Sequence, residues 1–237
     1  MNLLLLDPTD MLAPDKAEIS DKRLAHIHDV LSAQVGDQLK VGLLDAQCGT
    51  ATITSSSDAK IGLDIEFNKA PPAPLPLTVV MALPRPKMLR RILKNIAEFG
   101  IKECHFINSY KVEKSFWQTP VLKPETIDSY LREGLIQAKD TVMPKIYLHK
   151  RFKPFVEDEL ADIMQGHECF IAHPYQAMAM PAASSNKRLI IIGPEGGFTE
   201  YEVALIEKLQ VQRIHMGERI YRVESALTLL SAHLSLA

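Results

Sequence analysis

A chain of 237 residues with 46% hydrophobic and 24% charged side chains has the balance of a globular protein with a full core, in one large domain or two smaller ones. A formal net charge of -2 does not announce a nucleic-acid binder, so any contact with a polyanion must come from a local basic patch. The longest apolar runs are strand-length, and Leu3 to Leu6 is stopped at once by Asp7-Pro8 without a basic leader, which argues against a membrane span or a signal peptide and leads us to expect a cytoplasmic protein. Cys48, Cys104 and Cys169 lie far apart with no paired spacing, so free thiols are expected rather than a disulfide framework or a zinc site. The histidines are scattered, and no metal site is expected from them.

In chain order, residues 1–70 carry short alternating segments punctuated by Pro8, Pro14, Gly36, Gly42, Gly49 and Gly62, the pattern of a small, mostly β domain. Within it, Ile19 to Ala33 has helical spacing, with Ser20 as cap and Leu24, Ile27, His28 and Leu31 on one face, and Val35 to Val41 is a turn into a strand. The prolines of Ala70-Pro-Pro-Ala-Pro-Leu-Pro76 favour an extended connector and set the domain boundary there. Residues 71–237 then alternate short apolar runs with helical periods, which predicts an α/β domain with a largely parallel sheet. The expected strands are Leu77 to Leu83, Glu103 to Ile107, Lys145 to His149, Glu168 to Ala172, Leu189 to Ile192 and Val211 to Met216.

On the helix expected from Lys87 to Phe99, the apolar residues fall on one side while Lys87, Arg90, Arg91 and Lys94 gather on the other. Such a stripe is either a solvated face or a phosphate contact. Lys111, Lys114, Lys145, Lys150, Arg151 and Lys153 would extend it if the fold brings them near. Tyr110, Phe116 and Trp117 stand among the first of these and suit either base stacking or ordinary packing.

The last fifty residues hold two strand-turn-helix units in tandem. In the first, Leu189 to Ile192 runs into Gly193-Pro-Glu-Gly-Gly197, a turn with little side-chain bulk. Thr199 and Glu202 then form a capping box, with Phe198 and Val203 as its hydrophobic staple, so a helix begins at Glu200. In the second, a strand ends in Met216-Gly217, Arg219 and Arg222 follow, and Ser225 to Leu236 is helix-prone. Gly193 to Gly197 is neither a Walker A loop nor a dinucleotide fingerprint. Two tight turns at the carboxyl ends of neighbouring strands instead make a crevice whose backbone groups suit a base edge such as that of adenine.

Gly193-Pro-Glu-Gly-Gly197 together with Met216-Gly-Glu-Arg-Ile-Tyr-Arg-Val-Glu-Ser-Ala226 resembles the paired motifs of the RsmE family of 16S ribosomal RNA uridine N3-methyltransferases, in the SPOUT superfamily. Weaker similarity covers His28 to Val41, Ile96 to Ile101 and Glu133 to Pro144. The resemblance implies a PUA-like β-barrel RNA-binding domain followed by a SPOUT-type α/β trefoil knot domain, a homodimer, and ribosomal RNA or the small ribosomal subunit as partner. It implies S-adenosyl-L-methionine as cofactor, held by Ala172, His173, Gly193, Pro194, Gly196, Met216, Gly217, Arg219, Ile220 and Arg222. The chain departs from the family pattern at Asp140, which stands at an arginine position of a Glu-Ala-Ala-Glu-Gln-Ser-x-Arg-type helix, and around Tyr110-Lys111, in place of an arginine-serine pair.

Methylating uridine N3 requires its proton to leave before the lone pair can attack. Arg222 is the candidate to stabilise the charge spreading onto the uracil carbonyls, and Glu224, or else Glu195, is the candidate proton acceptor. Glu224 is also placed to act only as a negative charge at a helix N-terminus. Two rivals remain at this level: methyl transfer to another ribosomal or transfer RNA base, and a non-catalytic RNA-binding dimer that keeps the knot as a scaffold.

Overall fold

The computed structural model describes residues 2–235. They form two compact units, one running up to Ala73 together with Leu131–Met143, the other comprising Pro74–Tyr130 and the residues from Pro144 onward.

The first unit is a mixed six-stranded sheet of β1 (Leu4–Leu6), β2 (Met11–Ala13), β3 (Lys16–Ile19), β4 (Gln38–Leu43), β5 (Cys48–Ser56) and β6 (Ile61–Lys69), in the order β1-β4-β5-β6-β3-β2. Only β1 and β4 pair in parallel. Alternation dictates the buried face: Ile61, Leu63 and Ile65 of β6 point into a core with Leu4, Leu6, Ile19, Val41 and Ile53. The helix expected over 19–33 is shorter. Ile19 is held in β3 opposite Ile61, and helical turns run only from Arg23 to Val30, because Asp21 rather than Ser20 accepts the Arg23 N–H. Leu24 and Ile27 do face the core. The Arg23 guanidinium binds both oxygens of Asp10, at 2.7 and 2.8 Å, and the Leu5 carbonyl at 2.9 Å.

Leu131–Met143 enters this unit through the second half of the helix Pro124–Ala138. That helix does not reach Asp140. Lys139 turns left-handed, with φ 57°, and the Asp140 N–H returns to the Leu135 carbonyl at 3.0 Å, which closes the helix end. The Asp140 side chain is buried and accepts the Val142 N–H, so the residue at the family's arginine position serves a turn.

The second unit is a seven-stranded, wholly parallel sheet of β7 (Leu77–Ala82), β8 (Glu103–Ile107), β9 (Lys145–His149), β10 (Glu168–Ala172), β11 (Met178–Ala179), β12 (Arg188–Ile192) and β13 (Gln212–His215), in the order β11-β13-β10-β12-β7-β8-β9. The expected strands are present, with ends shifted by at most a residue, and β11 is additional. Strands β7 and β12 are buried throughout, as continuous apolar runs covered on both faces should be. The helix Pro86–Glu98 starts with proline in its first turn and buries Leu89, Ile92, Leu93, Ile96 and Ala97. Its cations Lys87, Arg90 and Arg91 are exposed, whereas Lys94 lies over the Tyr130 ring at 5.4 Å. The last helix begins at Val223, before the expected Ser225, because the Arg222 carbonyl takes the Ala226 N–H and acts as cap. Leu236, the expected end, lies outside the described residues.

The three cysteines are free, and burial pushes the Cys169 thiol up to about 11. No helix among the described residues is long and apolar enough to cross a membrane. No cluster of three or more histidine, cysteine or acidic side chains among them is arranged to hold a metal ion.

Two polar features lock the unit. Buried Glu202 is hydrogen-bonded through one carboxylate oxygen to the Thr199 N–H and hydroxyl, at 2.8 and 2.9 Å, and through the other to the Tyr110 N–H at 2.7 Å. The expected capping box therefore also ties the loop after β8 to the turn after β12. At the β8–β9 edge, Glu103, His105, His149 and Glu159 form a chain with contacts of 2.9, 3.0 and 3.2 Å. His149 is held below its ordinary value of 6.5 by burial, with Glu159 opposing the shift and His105 adding to it.

Removing the bridging carboxylate with Glu202→Ala strands backbone donors of two loops. It should cost about 2–4 kcal/mol in urea unfolding, with Glu202→Gln costing less because it keeps one acceptor oxygen. A histidine whose folded pKa is depressed contributes stability that is complete above its unfolded value of 6.5 and is lost as pH falls through the lowered one. Unfolding free energy should therefore decline on the acid side of pH 6.5, and His149→Gln should flatten that decline.

Candidate functional site

The carboxyl ends of β10, β12 and β13, three neighbours in the sheet, open onto one cavity of about 860 Å³. Ligand crevices of α/β sheets form at this edge because the strands stop there and their connections diverge. Three segments make the wall: 172–176 after β10, 192–198 after β12, and 213–221 at the end of β13.

Each segment is held by its own sequence. After β12, the Gly197 N–H returns to the Pro194 carbonyl at 2.8 Å, and Gly197 is left-handed at φ 69°. The buried Phe198 ring lies across Gly193, where a Cβ would come within 3.1 Å of it. After β13, Gly217 is left-handed at φ 89°, and its N–H is donated to His215 Nδ1 at 3.0 Å. After β10, the His173 N–H reaches the Ile214 carbonyl at 2.9 Å, and its ring Nδ1 lies 2.9 Å from the Tyr175 carbonyl.

The lining is mixed. Ala172, Ile192, Pro194, Met216, Ile220 and Ala226 give apolar surface, while His173, Glu195, Arg213 and Arg219 bring polar heads. The Arg213 guanidinium is already paired with Glu207, donating from Nη2 at 2.7 Å, and holds that carboxyl below the ordinary carboxylate range. Arg85 stands 3.9 Å from Glu195. Lys111 reaches the Gly196 carbonyl at 2.7 Å with its ammonium group, and its stem occupies the space a side chain at position 196 would need, 2.9 Å from a Cβ there. Glycine at 196 thus makes room for Lys111.

Ala172, His173, Gly193, Pro194, Gly196, Met216, Gly217, Arg219 and Ile220 all line this cavity. Arg222 does not, although its neighbours Tyr221 and Val223 do, and its side chain is exposed. Glu224 lies elsewhere: it lines a separate cavity of about 320 Å³ with Arg91, Lys94, Asn95, Glu98, Ser225 and Thr228. There it faces part of the basic stripe of Pro86–Glu98. Of the two carboxylates weighed as proton acceptor, Glu195 is the one in the larger cavity. Lys111 and Tyr175 belong to the wall without having been read as ligand contacts. Lys111 meets Gly196 across 85 positions of sequence, so no local pattern could pair them. Tyr175 stands two residues beyond His173 and was within reach of the same reasoning.

Residues 71–235 match the family model described as RNA methyltransferase domain. Among curated proteins, a Ribosomal RNA small subunit methyltransferase E from Treponema pallidum is 27% identical over 234 residues, covering 95% of this chain and 87% of the relative. A Ribosomal RNA small subunit methyltransferase E 1 from Borreliella burgdorferi is 26% identical over 230 residues, covering 95% and 94%. Among solved structures, a Ribosomal RNA small subunit methyltransferase E from Neisseria gonorrhoeae bound to S-adenosyl methionine shares the fold with a TM-score of 0.77, at 17% identity over 98% of this chain and 95% of that one. With the family model matched along the whole of the parallel-sheet unit, the chain belongs to the RNA methyltransferase domain family.

Proposed function

We propose that the chain is an S-adenosylmethionine-dependent methyltransferase acting on N3 of a uridine in the 16S RNA of the small ribosomal subunit. The observation that carries this reading is the convergence of the turns after β10, β12 and β13 on one cavity with glycine-rich walls and no phosphate-loop pattern. The names of the Treponema and Borreliella relatives, and the ligand of the Neisseria protein, favour it.

The residues present fit the cofactor. The apolar surface of Ala172, Ile192, Met216 and Ile220 beside tight glycine turns suits the flat face of an adenine, and exposed Arg219 suits a carboxylate. Bound S-adenosylmethionine supplies an electrophilic methyl group on a sulfonium. The chain has to fix the uracil ring and take its N3 proton. Glu195 fits the proton-accepting role better than Glu224, because it lines the cavity and Glu224 does not. Exposed Arg222, between the lining residues Tyr221 and Val223, is assigned to the negative charge on the uracil carbonyls.

The first unit is assigned as a PUA-like RNA-binding barrel. In the second, we assign the chain from β12 onward to a trefoil knot. In support, β12 lies between β7 and β10, and the end of the last helix is fastened to the segment before β12. Arg188 Nη1 donates to the Leu234 carbonyl at 2.7 Å, and His233 Nε2 lies 3.0 Å from the Pro181 carbonyl. A cytoplasmic homodimer completes the reading, and Ile220, 70% exposed beside the cavity, is a residue that a second copy would cover.

Calorimetric titration with S-adenosylhomocysteine should show binding, and Gly217→Val should weaken it at least about tenfold, since a β-branched residue resists a left-handed φ. Absence of binding at millimolar ligand would end the enzyme reading. Ribosomal RNA from a deletion strain should lose 3-methyluridine by nucleoside mass spectrometry, and an unchanged level would move the acceptor to another base. Arg222→Ala should keep its melting temperature yet methylate roughly 100-fold more slowly; an unimpaired rate would remove Arg222 from the chemistry.

A further inference from the structure

The loop joining β8 to the next turn carries a large aromatic ring that the protein makes no use of. Tyr110 is 84% exposed, and its backbone is held from several sides. Its own N–H is bound at 2.7 Å by buried Glu202. On one side the Asn108 N–H donates to the His149 carbonyl at 2.9 Å, and the Asn108 side-chain oxygen accepts the Trp117 indole N–H at 3.0 Å. On the other, Val112 closes a turn onto the Ser109 carbonyl at 3.1 Å, and Lys111 is tied to Gly196 at 2.7 Å. With the backbone pinned at both flanks, the ring can move only between its own side-chain rotamers.

Place and chemistry specify the occupant. Lys111, the next residue, is part of the cavity wall, so Tyr110 is carried on the segment that borders the site. Lys111 and Arg85 meet the same turn at Gly196 and Glu195, so two cations reach this border, with Glu195 offsetting one of them. A pinned, exposed aromatic ring next to cations is the arrangement on which an unpaired base stacks while its backbone phosphates find positive charge.

We propose that Tyr110 is a stacking platform for an unpaired base of the RNA substrate beside the cavity, an assignment that rests on the methyltransferase reading above. It gives the departure from the family pattern at Tyr110-Lys111 a purpose: the ring presents a π-face, and the lysine braces the turn against which the base is set. Stacking tolerates any aromatic face, so the hydroxyl is dispensable.

The test compares wild type, Tyr110→Ala, Tyr110→Phe and Tyr110→Trp in two assays. One follows binding of a labelled, uridine-rich single-stranded oligoribonucleotide by fluorescence anisotropy. The other follows methyl transfer from radiolabelled S-adenosylmethionine to small ribosomal subunits from a deletion strain. Tyr110→Ala should weaken oligonucleotide binding and raise the KM for subunits by about tenfold, with kcat and S-adenosylhomocysteine affinity unchanged, while Phe and Trp stay within about twofold of wild type. Wild-type behaviour of Tyr110→Ala would overturn the platform, and so would a Phe variant as poor as Ala. A change in oligomeric mass on Tyr110→Ala would overturn it too, because the ring would then be packing against a second copy. Tyr110-dependent oligonucleotide binding without any methyl transfer would sink the catalytic reading and leave the platform standing. Methyl transfer indifferent to Tyr110 would do the reverse.

Discussion

The site depends on a strand that has no exposed residue. Strand β12 lies between β7 and β10 with every side chain buried, so the chain must leave it in the middle of the sheet's carboxyl edge. There the turns after β10 and β13 are its immediate company. Its first residue is a charge: Arg188 is buried, with its guanidinium shared between Glu168 at 2.9 Å and the carbonyls of Ala182 at 2.9 Å and Leu234 at 2.7 Å. An arginine taken out of water at that position is tolerable only because its donors are satisfied by fixed acceptors. One of those acceptors is at the end of the last helix, so the strand, the connection before it and the carboxyl-terminal helix are fastened together at the end of the sheet opposite the cavity.

At the cavity end the fastening is done by a carboxylate and an ammonium group. Glu202 holds the loop after β8 and the start of the helix Glu200–Glu207, and Lys111 holds the glycine turn between them. The glycine turn closes on itself through the Gly197 N–H to the Pro194 carbonyl, and these two contacts fasten it to the loop after β8. Preorganised walls of this kind reduce the ordering cost of binding a flexible nucleoside ligand. Arg219 of the wall and nearby Arg222 stay exposed.

Much of the parallel-sheet unit was legible in the sequence because its strands are short apolar runs between strong breakers, and the capping box at Thr199 and Glu202 marked its helix to the residue. What escaped was set by distant partners. β11 has only two residues and exists through pairing with β13. The helix expected over 19–33 lost its start to the ladder with β6, where tertiary pairing overrode helical spacing. Asp140 looked like a helix position, but a left-handed Lys139 ended the helix before it. At the site, nine of the ten residues that the family motifs implied for the cofactor line one cavity, and Arg222 does not. The motif could not say that Glu224, two residues beyond Arg222, would turn with the helix toward Arg91 and Lys94, nor that Lys111 would brace Gly196. Periodicity reports which face of an element is buried, and says nothing about which loop another loop will touch.

The central claim is that the three turns after β10, β12 and β13 form the cofactor site of a methyltransferase. A crystal structure of the chain grown with S-adenosylmethionine tests it most directly. The account predicts the ligand between residues 172–176, the Gly193 to Gly197 turn and Met216 to Ile220. A ligand bound elsewhere, or a cavity that stays empty at saturating S-adenosylmethionine, would contradict it.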